Sequence, residues 1–239
     1  MSNETRTDGA KAADADPKAY LDKSFFLDFD SPTVQSFVAE HTQGANTDRE
    51  KAIALFYAVR DKIRYNPYGI AFDPATYKAS AVIEAAEGWC VSKGATMTAC
   101  LRACGIPARP GYADVRNHLS SKRLSEKMGT DVFSYHGYVE VWLDEKWIKV
   151  TPVFNIELCE KVGVAVQEFD GENDSLFQEF DRAGRRHMEY LLDRGAYIDV
   201  PFDEIMSDFA ERYPYLFEDA DNGMSGDFAA EAAADRRKS

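Results

Sequence analysis

The stretch from Tyr135 to Val153 reads YHGYVEVWLDEKWIKVTPV, and apolar and polar residues alternate along most of it. Alternation in two successive runs is typical of two neighbouring β-strands. We expect Asp144 and Glu145 to form the turn between them. This register gathers valine and isoleucine side chains on one face and places Glu140 opposite Lys149, an opposite-charge pair that stabilises antiparallel strands. Because Asp-Glu is not a preferred sequence for a two-residue turn, a register shifted by one residue is the alternative.

Helical signals dominate the first half of the chain. Thr47, with Glu50 three residues later, forms a capping-box sequence before apolar residues at helical spacing. A second helix is expected over residues 91–103, because apolar residues recur there on one face and Gly105 follows as a stop signal. Cys90 then lies at the N-terminus of that helix. Further helices are expected after the Ser31-Pro32 pair and over 81–86, and a further strand over 108–115.

The chain after Cys159 carries large apolar residues at helical spacing, which predicts helices around residues 178–194. Such residues need a surface to cover. Because this segment leaves the hairpin directly after Thr151-Pro152, we expect residues 160–215 to pack as a helical addition that walls or covers the cleft at Cys90. The alternative is a helical addition on the far side of the core.

Length and composition are those of one globular domain. The chain has 239 residues, of which 45% are hydrophobic and 29% are charged. Residues 1–18 and 219–239 are polar or alanine-rich, and we interpret them as disordered tails. Between them we expect a single domain over residues 19–218, with its catalytic core at about 48–155.

Charge and hydropathy narrow the choice of partners. The formal net charge of −13 disfavours nucleic acid and anionic lipid as partners. The sequence contains neither a long apolar run nor a secretory signal, so we expect a cytoplasmic protein that does not enter membranes. Four cysteines without a Cys-x-x-Cys pair are too few for a disulfide framework. Each thiol is therefore judged separately, and nothing in the sequence indicates an oligomeric state.

Cys90 is the candidate nucleophile. An ordinary thiol is only about 3% ionised at neutral pH. A helix N-terminus stabilises a thiolate by roughly 0.3–1 kcal/mol, or about 2 kcal/mol when buried, whereas lowering the pKa to about 5 requires about 5 kcal/mol. A positively charged imidazole would supply the remaining stabilisation of the thiolate, and His136 on the predicted strand is the best candidate for it. The alternative is an inert buried cysteine.

Other residues of reactive types are weaker candidates for a catalytic or metal-binding role. We interpret His187 as a histidine on a helix surface. Cys100 and Cys104 lie four residues apart on one helix, but no cluster of Cys or His residues completes a tetrahedral metal site, so a buried apolar face is the interpretation. Tyr65 could donate a hydrogen bond toward the reacting centre, and a packed aromatic side chain at a helix end is the alternative.

Three short segments occur in a characteristic order: Gly88-Trp89-Cys90 at a helix start, Leu101 to Arg109 at its end, and Tyr135 to Leu143 followed by Lys146-Trp147. Together they resemble the transglutaminase-like superfamily over about residues 48–155. This superfamily includes transglutaminases, microbial cysteine proteases and peptide N-glycanases. The resemblance implies an α+β fold with a papain-like transglutaminase core, in which a nucleophile at a helix N-terminus packs on an antiparallel sheet, here with added C-terminal helices. It implies Cys90 as nucleophile and His136 as base.

The third catalytic position departs from the family. Family members usually carry an Asp-Pro dipeptide at the end of the second strand, and this chain has Thr151-Pro152. In the predicted register Thr151 lies diagonally from His136 on the same face, so its hydroxyl could accept a hydrogen bond from the ring. Asn155 is the other candidate, since Cys-His-Asn sites perform the same chemistry. A turn-capping role is the alternative for Asn155.

The sequence therefore predicts a cysteine-dependent enzyme, either a protease or amidase or an acyltransferase of the transglutaminase type. It would work through a thioester on Cys90 with His136 as base and Thr151 or Asn155 as the group that orients the imidazole. The expected substrate is a peptide, a protein or a small amide, and this chemistry needs no metal or organic cofactor. The alternative is a catalytically weak or inactive binding module, which the missing aspartate at Thr151 favours.

Overall fold

The structure is a computed structural model, and it describes residues 9–12, 16–118, 120–177, 179–217 and 226–236. Its central strands are β3 (Ala108–Asn117), β4 (Val132–Leu143), β5 (Lys146–Val150) and β6 (Met188–Ala196). They form an antiparallel sheet in the order β5-β4-β3-β6. Two short strands, β1 (Arg64–Tyr65) and β2 (Glu87–Gly88), pair in parallel with each other.

The β4–β5 hairpin has the register that the sequence predicts. Val139 pairs with Val150, and Glu140 pairs with Lys149. Both valine side chains are fully buried, and the Lys149 ammonium lies 3.9 Å from the Glu140 carboxylate. The apolar face of the hairpin is therefore part of the core, and the prediction of unshifted pairing is confirmed.

The turn of this hairpin places two ordinary residues in the left-handed region. Asp144 and Glu145 have φ angles of 48° and 63°, a conformation that favours Asn-Gly or Asp-Gly. A residue with a Cβ in this region costs roughly 1–2 kcal/mol relative to its preferred conformation. An ion pair between Arg49 and the Asp144 carboxylate bridges the turn to the helical part of the protein.

Replacing Glu145 with glycine should therefore stabilise the protein. Glycine adopts a φ of 63° without a Cβ clash, so we expect Glu145→Gly to raise the free energy of unfolding by roughly 0.5–1 kcal/mol. Urea denaturation measures this change, and Glu145→Ala is the control that keeps the Cβ. A Glu145→Gly variant that is no more stable than Glu145→Ala would contradict the presence of strain.

The helices of the first half form where their sequence signals place them. They are α1 (Pro32–His41), α2 (Asp48–Lys62), α3 (Ala79–Ala85) and α4 (Cys90–Ala103). The Ser31 hydroxyl accepts a hydrogen bond from the N–H of Val34 at the start of α1. Thr47 and Glu50 form a complete capping box before α2, and Gly105, with a φ of 74°, follows the end of α4. Local capping chemistry is sufficient to explain these boundaries.

Helix α4 is the buried helix of the core. Every residue from Cys90 to Arg102 is buried, and the helix packs between the sheet strands β3 and β4 and the helices α1, α2 and α3. The Nζ of Lys93 is buried and donates hydrogen bonds to the carbonyl oxygens of Arg60, 3.0 Å away, and Ile63. Burial lowers the pKa of Lys93 to about 7. Lys93 thus satisfies carbonyl groups at the end of α2, which a helix end leaves without partners, and ties α2 to the first turn of α4.

The segment after residue 160 is only partly helical. The later helices are α5 (Lys122–Met128), α6 (Ile156–Val162), α7 (Phe202–Arg212) and α8 (Pro214–Phe217). The added C-terminal helices are confirmed, but the helix expected around 178–194 is wrong because residues 188–196 form β6. In this strand Tyr190 pairs with Val115 of β3. Pairing between segments far apart in sequence overrides the helical spacing of the apolar residues.

The chain ends also differ from the sequence prediction. A helix, α9 (Phe228–Arg236), lies within the expected disordered tail of 219–239 and packs against α5 and α6, with Phe228 and Ala232 buried. Near the N-terminus, Lys11 pairs with Tyr197, and Pro17–Tyr20 forms one short helical turn. Burial of a few apolar side chains orders these segments. The remainder of the predicted tails, at 1–8, 13–15, 219–225 and 237–239, lies outside the described residues. No helix in the described part of the chain is long and apolar enough to span a membrane.

Candidate active site

Cys90 is the first residue of α4, and Trp89 precedes it in an extended conformation. The first N–H groups of a helix have no partner within the helix. The backbone N–H groups of Cys90 and Val91, and that of Gly137 from β4, lie near the Cys90 sulfur and act to lower its pKa. These donors place partial positive charge around the sulfur, where an anion would form.

Strand β4 crosses the start of α4 at Gly137. A Cβ on this residue would lie 2.7 Å from the carbonyl oxygen of Cys90 and 3.1 Å from the nitrogen of Val91. Such distances are too short for a side chain, so glycine is required for this close approach. Because His136 is the neighbouring residue, the crossing brings the imidazole to the helix start that carries the thiol.

A bulge in β4 comes directly before His136. His136 pairs with Ala113 of β3, but the register shifts by one residue at this point, so that Ser134 and Tyr135 together oppose Asp114. Tyr135 has a φ of 53°, and its N–H donates a hydrogen bond to the Asp114 carboxylate, 3.2 Å away. Bulges redirect side chains and occur often beside active sites. No local signal in the sequence predicts this one.

Cys90 and His136 line the same cavity. Its walls are largely apolar, and the segment after residue 160 supplies two of them, Met188 of β6 and Phe209 of α7. Both of these side chains are buried. The expectation that residues 160–215 wall the Cys90 cleft is therefore confirmed, although a strand supplies part of the wall.

The Cys90 thiol is a neutral group in this cavity. Only 6% of the residue is exposed. Burial raises the pKa of Cys90 to about 11, although the N–H groups of Gly137, Val91 and Cys90 itself act in the opposite direction. The position of this thiol at a helix N-terminus predicts a lowered pKa. The direction is reversed because the loss of solvation outweighs what the N–H groups contribute.

His136 is also buried and neutral. Burial lowers the pKa of its imidazole to about 4, and the neighbouring His187 acts in the same direction. The rings of Phe177 and Tyr190 lie 5.4 Å and 6.4 Å from the imidazole ring. Nε2 of His136 is buried without a hydrogen-bond partner in the described structure. The imidazole is therefore free to accept a proton at physiological pH, but among the described residues no carboxylate acts on it to stabilise the imidazolium that would result.

The position of His187 differs from the one that the sequence predicts. It is not on a helix surface: it is buried just before β6, and its backbone N–H donates to the carbonyl oxygen of Glu179, 2.7 Å away. Its ring lies 5.6 Å from the ring of Phe177 and 6.1 Å from that of Phe154. Phe177 therefore contacts both histidines. Recognising this would have required knowing that residues 188–196 pair with β3.

The two pKa values decide which form of the Cys90–His136 pair is present. Burial raises the pKa of the thiol to about 11 and lowers that of the imidazole to about 4. Both shifts oppose transfer of the thiol proton to the imidazole. The resting pair is therefore neutral.

Thr151 and the imidazole share a neighbour. Thr151 follows β5 and is fully buried, and its hydroxyl makes no hydrogen bond of ordinary geometry within the described structure. The Tyr190 hydroxyl lies beside it, and the Tyr190 ring also lies beside His136. A residue of this type at this position leaves the site without the negative charge that an aspartate would bring.

Asn155 has a different partner. It is the N-cap residue of α6, and its Oδ1 accepts a hydrogen bond from the backbone N–H of Tyr65, 3.2 Å away. Tyr65 lines the cavity, and both burial and the nearby Cys90 raise the pKa of its hydroxyl. Among the described residues that line the cavity, neither Asn155 nor Thr151 occurs. Asn155 thus fixes a wall of the site through the backbone of Tyr65.

Comparison with protein families identifies the class of the domain. The family model of the transglutaminase-like superfamily matches residues 35–152, which include both Cys90 and His136. This part of the chain belongs to the transglutaminase-like superfamily. The superfamily fits the observed α+β architecture, with a cysteine at a helix start packed on an antiparallel sheet. A search among curated proteins gives no match.

Several solved structures are similar to this chain. One is a proposed cysteine protease from Cytophaga hutchinsonii, with 16% identity and a TM-score of 0.45 over 75% of this chain and 64% of that one. A proposed protease from Parabacteroides distasonis has 16% identity and a TM-score of 0.35 over 63% of this chain and 31% of that one. Red sea bream transglutaminase has 13% identity and a TM-score of 0.35 over 84% of this chain and 43% of that one. The chain spans less than two thirds of the length of each of these proteins.

The variant Thr151→Asp tests whether Thr151 occupies the position of the family's carboxylate. A carboxylate beside the imidazole would raise the pKa of His136 by about 1–3 pH units and, through the imidazolium, would lower the pKa of Cys90. NMR titration of the imidazole C–H signals measures the first change. Thr151→Asn is the control, since asparagine has nearly the same shape as aspartate but carries no charge. An unchanged His136 pKa in folded Thr151→Asp, or an equal rise in Thr151→Asn, would place the orienting position elsewhere.

Proposed function

We propose that this chain is a cysteine-dependent enzyme that hydrolyses or transfers the acyl group of an amide or ester through a thioester on Cys90. The observation that carries the proposal is that a thiol at a helix start and a neutral imidazole line one cavity, with backbone N–H groups beside the sulfur. His136 is the proposed base. Each of these groups has a defined part in acyl transfer.

The first step is addition of the Cys90 sulfur to the substrate carbonyl. Because the resting pair is neutral, the thiol proton moves to His136 as the sulfur–carbon bond forms, which is general base catalysis. The carbonyl electron pair moves onto its oxygen. The N–H groups of Cys90 and Val91, which lie near the sulfur, are the proposed hydrogen-bond donors to that oxyanion.

The second step releases the leaving group and forms the thioester. The oxyanion returns its electron pair, the bond to the leaving nitrogen or oxygen breaks, and the imidazolium of His136 gives its proton to the leaving atom. Water or an amine then adds to the thioester, with His136 again accepting a proton. Water as acceptor gives a hydrolase, and an amine gives a transferase.

A binding module without catalytic activity is the second candidate. The buried Nε2 of His136, which has no hydrogen-bond partner in the described structure, favours it, because in a complete triad a third residue holds the imidazole and stabilises the imidazolium. In that case Cys90 and His136 would be buried polar residues of a ligand pocket. The two candidates differ in one observable, the formation of an acyl group on Cys90.

Acylation by nitrophenyl acetate, followed by intact mass spectrometry, distinguishes the two functions. We expect one acetyl group on Cys90, lost in Cys90→Ala and formed about 100-fold or more slowly in His136→Gln. The rate should rise with pH through about 4, where His136 loses its proton, and then stay level. Protonated imidazole cannot accept the thiol proton, which fixes the direction of this change.

Cys104→Ala is the matched control, because Cys104 is the more exposed cysteine on the same helix. In this variant nitrophenyl acetate should acylate Cys90 at the wild-type rate. Acetyl groups spread equally over Cys90 and Cys104, or a rate on Cys90 that does not depend on His136, would overturn the proposed enzyme and leave the binding module.

A further inference from the structure

The lining of the Cys90 cavity points to a substrate class: we propose that the site takes an uncharged amide or ester that carries a hydrocarbon group. That the bound compound reacts at Cys90 rests on the proposed function. Its binding is tested separately from any reaction. The observation is the composition of the cavity wall beyond Cys90 and His136.

The wall is built from buried apolar side chains of separate elements. Val115 comes from β3, Leu124 and Met128 from α5, Met188 from β6 and Phe209 from α7. Each of them is at most 3% exposed. A hydrocarbon group placed against these side chains would leave water for an apolar surface, which is favourable by about 25 cal/mol for each Å² removed from water.

No charged side chain occurs among the described residues that line this cavity. Asn117 and Ser134 are uncharged polar residues of the lining, and the Ser134 hydroxyl donates a hydrogen bond to the Asp208 carboxylate, 2.5 Å away. His136 is neutral. A carboxylate or ammonium group of a substrate would therefore enter without a countercharge, which carries a large desolvation cost. The same wall that favours hydrocarbon excludes charge.

Binding of simple primary amides to the Cys90→Ala variant tests the inference. Butyramide, hexanamide and octanamide are the probes, and calorimetry or NMR titration gives the affinity. We expect the affinity to rise by about fourfold for each added methylene group until the cavity is filled. Amides of the same length with a terminal ammonium or carboxylate are the controls, and we expect them to bind at least tenfold more weakly.

A pair of valine substitutions locates the binding. Val115→Thr keeps the shape of the side chain but adds a hydroxyl to the cavity wall, and Val141→Thr makes the same change in a buried strand residue outside the wall. In the Cys90→Ala background, we expect Val115→Thr to weaken octanamide binding severalfold and Val141→Thr to leave it unchanged. Thermal unfolding of both variants shows that they are folded.

The outcomes separate this inference from the proposed function. Affinity that does not depend on chain length, or equal binding of charged amides, overturns the substrate class even if Cys90 is acylated. Equal effects of the two valine substitutions overturn the location. Chain-length dependence that responds to Val115→Thr alone supports the inference, and it does so even if no acyl group forms on wild-type Cys90, a result that would refute only the enzyme.

Discussion

Removing water from around a thiol and an imidazole disfavours the charged form of each group. Cys90 and His136 are both buried, and no charged side chain lines their cavity within the described structure. Thr151, the proposed counterpart of the family's carboxylate, is a neutral residue. Each of these features raises the free energy of a thiolate–imidazolium pair, and the helix N-terminus at Cys90 is too weak to compensate. The neutral pair is therefore a consequence of the whole surrounding structure.

The same exclusion of water connects reactivity to recognition. In a dry cavity, hydrogen bonds from backbone N–H groups to a developing oxyanion are stronger than they would be in water. In the proposed mechanism, charge therefore forms only when the substrate carbonyl is present to accept it. Met188 of β6 and Phe209 of α7 form part of the cavity wall, so residues outside the matched family region contribute to the apolar surroundings of the site.

The sequence predicts the parts of this structure that local interactions determine. The capping box at Thr47, the helix that begins at Cys90 and the pairing of Glu140 with Lys149 each follow from neighbouring residues. The assignment of Cys90 and His136 to one site came from three short segments in family order, and the cavity that they share agrees with it.

The features that the sequence does not predict depend on contacts between distant segments. Strand β6 forms because residues 188–196 pair with β3, some 75 positions earlier in the chain, against the helical spacing of its own apolar residues. The buried position of His187 and the wall at Met188 follow from that pairing. The pKa of Cys90 depends on the burial of the complete site, so a reading limited to its helix N-terminus gives the wrong direction.

The ultraviolet absorbance of the thiolate in the resting protein, taken as the difference between the wild type and Cys90→Ala, is the most direct measurement of this chemistry. A neutral pair predicts no thiolate absorbance from Cys90 at neutral pH and its appearance only as the pH approaches about 11. Thiolate absorbance at neutral pH that persists down to about pH 4–5, as an imidazolium partner would produce, would contradict it.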